Sequence, residues 1–205
     1  ASSWLWSFAV HGWPKEDKNL KTFYPTDALV TGPDIIFFWV ARMIMAGTRF
    51  LNEVPFKDVY FTSILRDKNG KKFSKSLGNS PDPFTLFDEY GTDAVRFSTM
   101  LMSPQGLDVL FSNERLEIGR NFMNKLWNAS RFVRMNIDSD ILNKTEIDIE
   151  DLQLEERWII NQLNKTTHEF NKCLEDFKFN EAAKIIYEFT WNDYCDWFIE
   201  IAKTR

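Results

Sequence analysis

Apolar positions change rhythm along the chain, and the changes mark out elements. The first 31 residues carry Pro14, Pro25 and a polar cluster from Lys15 to Lys21, which predicts loop with short extended pieces ending at Leu29-Val30-Thr31. Gly32-Pro33-Asp34 punctuates. Apolar residues at 36, 39, 40, 43 and 44 then follow helical spacing, predicting a helix from Ile35 to Gly47 with Asp34 as its N-cap. The β-branched and aromatic run from Phe56 to Leu65 predicts a buried strand closed by the turn residues Asp67-Lys68-Asn69-Gly70. A basic loop comes next, and Pro81 and Pro83 lead into two short helices split by Gly91, the second with apolar positions 94, 95, 97 and 101.

Beyond Asn113 the period lengthens into long helical stripes. Phe122, Leu126, Ala129 and Val133 form one, and Ile159, Leu163, Thr166, Phe170, Cys173 and Phe177 a second. The third takes Ile186, Phe189 or Thr190, Tyr194, Trp197 and Ile201, and an acidic, Asn-rich connection from Asn136 to Asp151 parts the first from the second. The fold class expected is therefore α/β followed by all-α. Residues 1–112 make the α/β part and residues 113–205 an antiparallel helical bundle.

Composition narrows the picture without changing it. A chain that is 44% hydrophobic with 19 Phe and 8 Trp can bury a core and does not read as disordered. A net charge of −5 excludes a uniformly basic coat, so any nucleic-acid contact has to come from a local patch. The two cysteines, Cys173 and Cys195, are too few for a disulfide scaffold; they fit a reducing cytoplasmic setting and read as small buried hydrophobes. The longest apolar run, Ile35 to Ala41, is far short of the roughly 20 residues of a membrane span. The chain begins at Ala1 without Met or a leader pattern, so it is expected to belong to something longer.

The chemistry concentrates in Lys71 to Ser76, KKFSKS, a loop opened by Gly70 and followed by Gly78-Asn79. Lysine ammonium groups can neutralise a polyphosphate, and Ser74 and Ser76 add hydroxyl donors. Donors held where charge grows in a transition state are worth roughly 2.7–4 kcal/mol each. The competing reading is a solvated surface charge run. The order of residues argues against that reading, because KFSKS resembles the KMSKS signature of class I aminoacyl-tRNA synthetases, with Phe73 in place of Met. The likeness extends through RDKNGKKFSKSLGNSPDP, Arg66 to Pro83.

Upstream, Tyr24 to Met45 (YPTDALVTGPDIIFFWVARMIM) is similar to the Gly-x-Asp and following Trp of the valyl branch of that family. Gly32 suits close backbone approach, and the Asp34 carboxylate can accept both ribose hydroxyls of an adenosine. The resemblance implies that Ile35 and Trp39, four apart on one helix face, help form the valine pocket. Ordinary core packing is the alternative. In the helical half, Gly119 to Phe132 and Trp191 to Lys203 resemble the helix joining the catalytic and anticodon-binding domains and a later helix of the latter. Arg120, Lys125, Arg131 and Arg134 are candidate contacts to tRNA phosphates.

What the resemblance implies is a Rossmann-type catalytic domain, here its C-terminal part, joined to part of an anticodon-binding domain. The implied activity is activation of valine with ATP, Mg²⁺ entering as the ATP complex, and transfer to tRNA(Val) by a monomeric cytoplasmic enzyme. Lys72 and Lys75 are the residues expected to stabilise departing pyrophosphate, with Ser74, Ser76, Gly32 and Asp34 also binding ATP. No protein-held metal and no membrane are expected. The family's His-x-Gly-His motif does not occur in the sequence, nor does its editing domain fit, so the chain by itself is expected to be inactive. An isoleucyl-type member of the family and a standalone RNA-binding module are the alternatives.

Overall fold

The computed structural model describes residues 2–15, 17–137 and 149–204. The chain divides into two units, Ala1–Ile64 with Gln105–Asp108, and Leu65–Pro104 with Val109–Arg205.

In the first unit the opening residues are more helical than their polar texture predicts. A 3-10 turn at Ser3–Leu5 runs into α1 (Trp6–Ala9), and α2 (Lys18–Phe23) starts where the Asp17 side chain accepts the Asn19 N–H. Burial explains why. Phe8 is fully buried and takes edge contacts from Trp13 at 5.2 Å and Tyr24 at 5.9 Å, while Leu20 closes the same cluster. Strand β1 (Thr26–Thr31) pairs in parallel with β2 (Phe56–Phe61), from Thr26 opposite Phe56 to Thr31 opposite Phe61. The Thr62 N–H donates to the Thr31 carbonyl and ends the ladder.

The crossover between these strands corrects the expected helix. A 3-10 turn, Pro33–Ile35, passes into a π-helical stretch, Ile36–Val40, and only then into α3 (Ala41–Leu51). Asp34 lies inside the first turn, so it is not the N-cap; Gly32 occupies that position. Val40 and Met43 are buried with Phe56, and Trp39 packs partly against them, whereas Phe37 and Phe38 are 73% and 64% exposed. Gly47 brings α3 close to the strands. A Cβ there would lie 2.6 Å from the Tyr24 hydroxyl oxygen, which donates to the Glu53 carbonyl at 2.9 Å. Burial, with the nearby Glu53 charge, pushes the Tyr24 phenol up to about 12.

The single strand expected from Phe56 to Leu65 is two. After Phe61 the chain leaves the first sheet, and β3 (Leu65–Arg66) pairs in parallel with β4 (Val109–Leu110) in the second unit. Helix α4 (Pro83–Tyr90) opens with Asp82 accepting the Phe84 N–H and Pro83 at its first position, where a missing N–H costs nothing. Gly91 follows at φ 90, and α5 (Thr92–Met102) begins at once. The long helix α6 (Asn113–Asn136) packs on α5. Leu86, Tyr90, Ala94, Val95, Met102, Val109 and Leu116 form the core there.

Helix α7 (Leu154–Glu175) starts with a reciprocal cap between Gln153 and Glu156, and α8 (Phe179–Glu188) packs against both α7 and α5. Residues 138–148 of the expected acidic connection lie outside the described residues. The last stripe also shifts. Phe189–Phe198 is π-helical before α9 (Ile199–Ala202), and its wider i→i+5 turns bury Thr190, Cys195 and Ile199 while leaving Trp197 63% exposed. Leu126 and Leu163, expected inside, are exposed as well. Cys195 is buried, which raises its thiol pKa. An aromatic ladder runs from Phe97 of α5 to Phe122 of α6 at 4.7 Å, to Tyr187 of α8 at 5.0 Å, and on to Trp191 at 5.5 Å.

Candidate functional site

The basic loop is built outward from one carboxylate. Asp67 follows β3; its Oδ1 accepts the Asn69 and Lys71 N–H groups, each at 2.9 Å, and its Oδ2 accepts the Asn79 side-chain amide at 2.9 Å. Those donors, Asn79 first and the Lys71 N–H next, hold the Asp67 carboxyl below its ordinary value. Asn79 in turn accepts the Ser74 N–H through its Oδ1 at 2.9 Å and reaches the Lys72 carbonyl at 3.4 Å. Asp67 and Asn79 thus join the two ends of the loop.

Between those ends, Arg66 and Lys72 form an antiparallel bridge, and the Arg66 guanidinium donates to the Gly70 carbonyl at 3.1 Å. A 3-10 turn, Lys75–Leu77, closes on Gly78 at φ 63, a conformation in which glycine avoids Cβ strain. The Ser74 and Ser76 hydroxyls lie 2.7 Å apart. Lys71, Lys72, Lys75 and Ser76 are exposed, and Ser74 is half-buried. Phe73 turns the other way, with its ring edge-on to Phe111 at 5.8 Å, so the residue occupying the signature's Met position anchors the loop to the second unit. A groove of about 510 Å³ lies along that anchored side, lined by Asp67, Phe73, Asn79, Phe111 and the start of α6 at Ser112 to Glu114.

Lys72, Ser74, Lys75 and Ser76 therefore come together on one loop of the second unit. Gly32, Asp34, Ile35 and Trp39 belong to the first. There a Cβ on Gly32 would stand 2.8 Å from Asp34 Oδ1, so the glycine makes room for that carboxylate. Ile35 is 41% exposed, and Trp39 contributes to the core around Val40.

On α6, Arg120 pairs with Glu117 at 3.5 Å and lies over the Tyr90 ring at 5.6 Å. Lys125 pairs with Asp196 and sits 4.6 Å from the Trp191 ring centre, tying α6 to the π-helical stretch. Arg131 and Arg134 are exposed and line, with Trp127, Ser130 and Met135, a depression of about 370 Å³. What sequence reasoning missed is the scaffold. Asp67 and Asn79 were legible only as a turn residue and as half of a Gly-Asn pair, and their separation along the chain hides that they meet.

Residues 1–112 match the tRNA synthetases class I (I, L, M and V), and residues 156–205 match the anticodon-binding domain of tRNA ligase. The chain belongs to the class I tRNA synthetases. Within that family it is similar to the valine-tRNA ligase of Fusobacterium nucleatum subsp. nucleatum, at 55% identity over all of this chain and 23% of that protein. It is 49% identical to the valine-tRNA ligase of Thermotoga maritima, again over all of this chain and 23% of the relative. The chain thus spans about a quarter of the length of these curated relatives.

Solved structures share the fold. An Agrobacterium radiobacter LeuRS in a ternary complex with tRNA and LeuAMS superposes with a TM-score of 0.78 at 21% identity, covering 92% of this chain and 26% of that one. A Mycobacterium tuberculosis methionyl-tRNA synthetase bound by methionyl-adenylate gives 0.74 at 20% identity, covering 94% and 37%. Among the described residues, no helix is long and apolar enough to cross a membrane.

Proposed function

We propose that the chain is part of a valine-tRNA ligase, residues 1–112 being the later part of its catalytic domain and residues 113–205 the start of its anticodon-binding domain. The observation that carries this reading is identity of about half to valine-tRNA ligases from distant bacteria over the whole chain. The reaction proceeds in two steps. The valine carboxylate attacks the α-phosphorus of ATP, forming the new P–O bond as the bond to the bridging oxygen breaks and pyrophosphate departs. The terminal ribose of tRNA then takes the valyl group and AMP leaves.

No protein nucleophile is needed, so this chain's residues position reactants and stabilise charge. Lys75 and Lys72 place ammonium groups against the departing pyrophosphate, and the Ser74 and Ser76 hydroxyls add donors. Mg²⁺ enters as the complex with ATP. Asp34, with Gly32 leaving room beside it, accepts the ribose hydroxyls, and Ile35 and Trp39 border the valine side chain. Exposed Arg131 and Arg134, with Arg120 and Lys125 earlier on the same helix, contact tRNA phosphates. The complete protein is a cytoplasmic monomer, and this chain by itself does not aminoacylate.

Valine-dependent ATP–pyrophosphate exchange on the full-length protein tests this, with isoleucine and leucine as competing substrates. Exchange specific to valine that falls about 100-fold in Lys75→Ala is the expected result. Exchange supported by a different amino acid would keep the family and overturn valine. No exchange with any of the three would overturn the reading.

A further inference from the structure

We infer that Asp67 and Asn79 are positioning residues for the reaction, a latch that sets the backbone from which Lys72, Ser74, Lys75 and Ser76 project. The inference rests on the reading of that loop as the polyphosphate-binding element. Its basis is directional. Asp67 can only accept, so the Asn79 amide nitrogen must face it, and the Asn79 carbonyl oxygen is thereby aimed at the Ser74 N–H. One carboxylate thus dictates which way the amide points, and the amide fixes the backbone on either side of Phe73, at Lys72 and at Ser74.

Backbone ties order the near end of this stretch, with Arg66 bridging Lys72 and the Phe73 N–H donating to the Leu65 carbonyl at 3.4 Å, and the Asn79 amide carries that order across to Ser74. Lys71, Lys72, Lys75, Ser76, Leu77 and Gly78 are all exposed, and Phe73 is the residue with an aromatic anchor, at Phe111. Long, flexible lysines stabilise a transition state only when their stems start from fixed points; otherwise each turnover must organise them first. A latch of this kind acts on the chemical step more than on the ground-state binding of ATP.

The polarity of the latch can be reversed without changing net charge, which tests the pairing itself, while the split between kcat and KM for ATP separates positioning from a merely structural role. In Asp67→Asn two amide donors face each other, and in Asn79→Asp two carboxylates do. In the double variant the amide at 67 keeps a carbonyl oxygen for the Asn69 and Lys71 N–H groups and donates to the carboxylate at 79, whose other oxygen accepts the Ser74 N–H. Only the long contact to the Lys72 carbonyl is not restored.

In the full-length protein, each single variant is expected to lower kcat for valine-dependent exchange about 10- to 100-fold while KM for ATP moves less than about threefold. The double variant is expected to return to within about fivefold of wild type. Amide hydrogen exchange at Ser74 should follow the same order: protected, exposed in both single variants, protected again. Singles indistinguishable from wild type, a double no better than the singles, or a loss confined to KM would each overturn the positioning role. Ser74 protection unchanged in the single variants would overturn the latch alone. Silent valine-dependent exchange in the wild type would instead overturn the functional reading, and the positioning role with it.

Discussion

At the α5–α6 contact, Ser98 Oγ accepts the Gly119 N–H at 3.1 Å; in the basic loop, Asn79 Oδ1 accepts the Ser74 N–H at 2.9 Å. The device is the same, a side-chain oxygen tying down the backbone of another segment. The surroundings are opposite. Ser98 is fully buried and Gly119 has no spare room: a Cβ on it would lie 2.2 Å from Ser98 Oγ and 2.3 Å from the Ala94 carbonyl oxygen. Around Gly70 and Gly78 in the loop, a Cβ would meet nothing within 4 Å, and glycine serves there for its positive φ. In the first place the hydrogen bond sits in a close contact between two helices where water has no access. In the second, water can replace it, so what it contributes is order at a particular point of the chain.

The comparison predicts its largest effect at Gly119. Gly→Ala within a helix ordinarily stabilises by roughly 1 kcal/mol. Here the overlap with Ser98 and Ala94 forces α5 and α6 apart, and Gly119→Ala should cost about 3 kcal/mol or more in chemical or thermal unfolding of the full-length protein. A stability equal to or above wild type would mean that the contact is looser than its geometry. Ser98→Ala comes next. It removes from a dry interface the hydroxyl that accepts the Gly119 N–H and lies 3.5 Å from the Leu116 carbonyl, while the N–H keeps its own helical acceptor, so the expected cost is about 0.5–1.5 kcal/mol and exchange activity per folded molecule stays at the wild-type level. A neutral Ser98→Ala would show that the buried hydrogen bond contributes no more than an exposed one.

How far each region could be read from sequence follows from the same contrast. The loop's chemistry was legible because its lysines and serines are consecutive, and the long helices because their apolar stripes repeat. The scaffold of the loop was not, since Asp67 and Asn79 are joined only by folding. One apolar run hid the break between β2 and β3, because Leu65 and Arg66 take partners at Val109 and Leu110 that no local pattern reveals. Trp197 and Ile201 were assigned to the buried stripe on a 3.6-residue period, but the π-helical turns before α9 carry Cys195 and Ile199 inward in their place. At Asp34, the cap signal was sound chemistry two residues past the N-cap position, which Gly32 holds.

The smallest expected effect is also the most local, and it is set by pH. Asp67 is held below its ordinary pKa by the donors from Asn79, Lys71 and Asn69. A carboxyl whose folded pKa is depressed contributes its hold above the unfolded value, about 3.9, and loses it as pH falls through the folded value. The latch should therefore be intact at neutral pH and release only below pH 4. The midpoint should lie under the ordinary carboxylate value and be visible in the side-chain amide resonances of Asn79 and the backbone amide of Ser74. Neither Ser98 nor Gly119 titrates in that range, so resonances at the α5–α6 contact should hold steady while those of the loop move. In Asp67→Asn the loop transition should vanish. A loop midpoint at or above the ordinary carboxylate value would mean that the three donors do not favour the ionised form, and the two hydrogen-bonded contacts would then differ in burial alone.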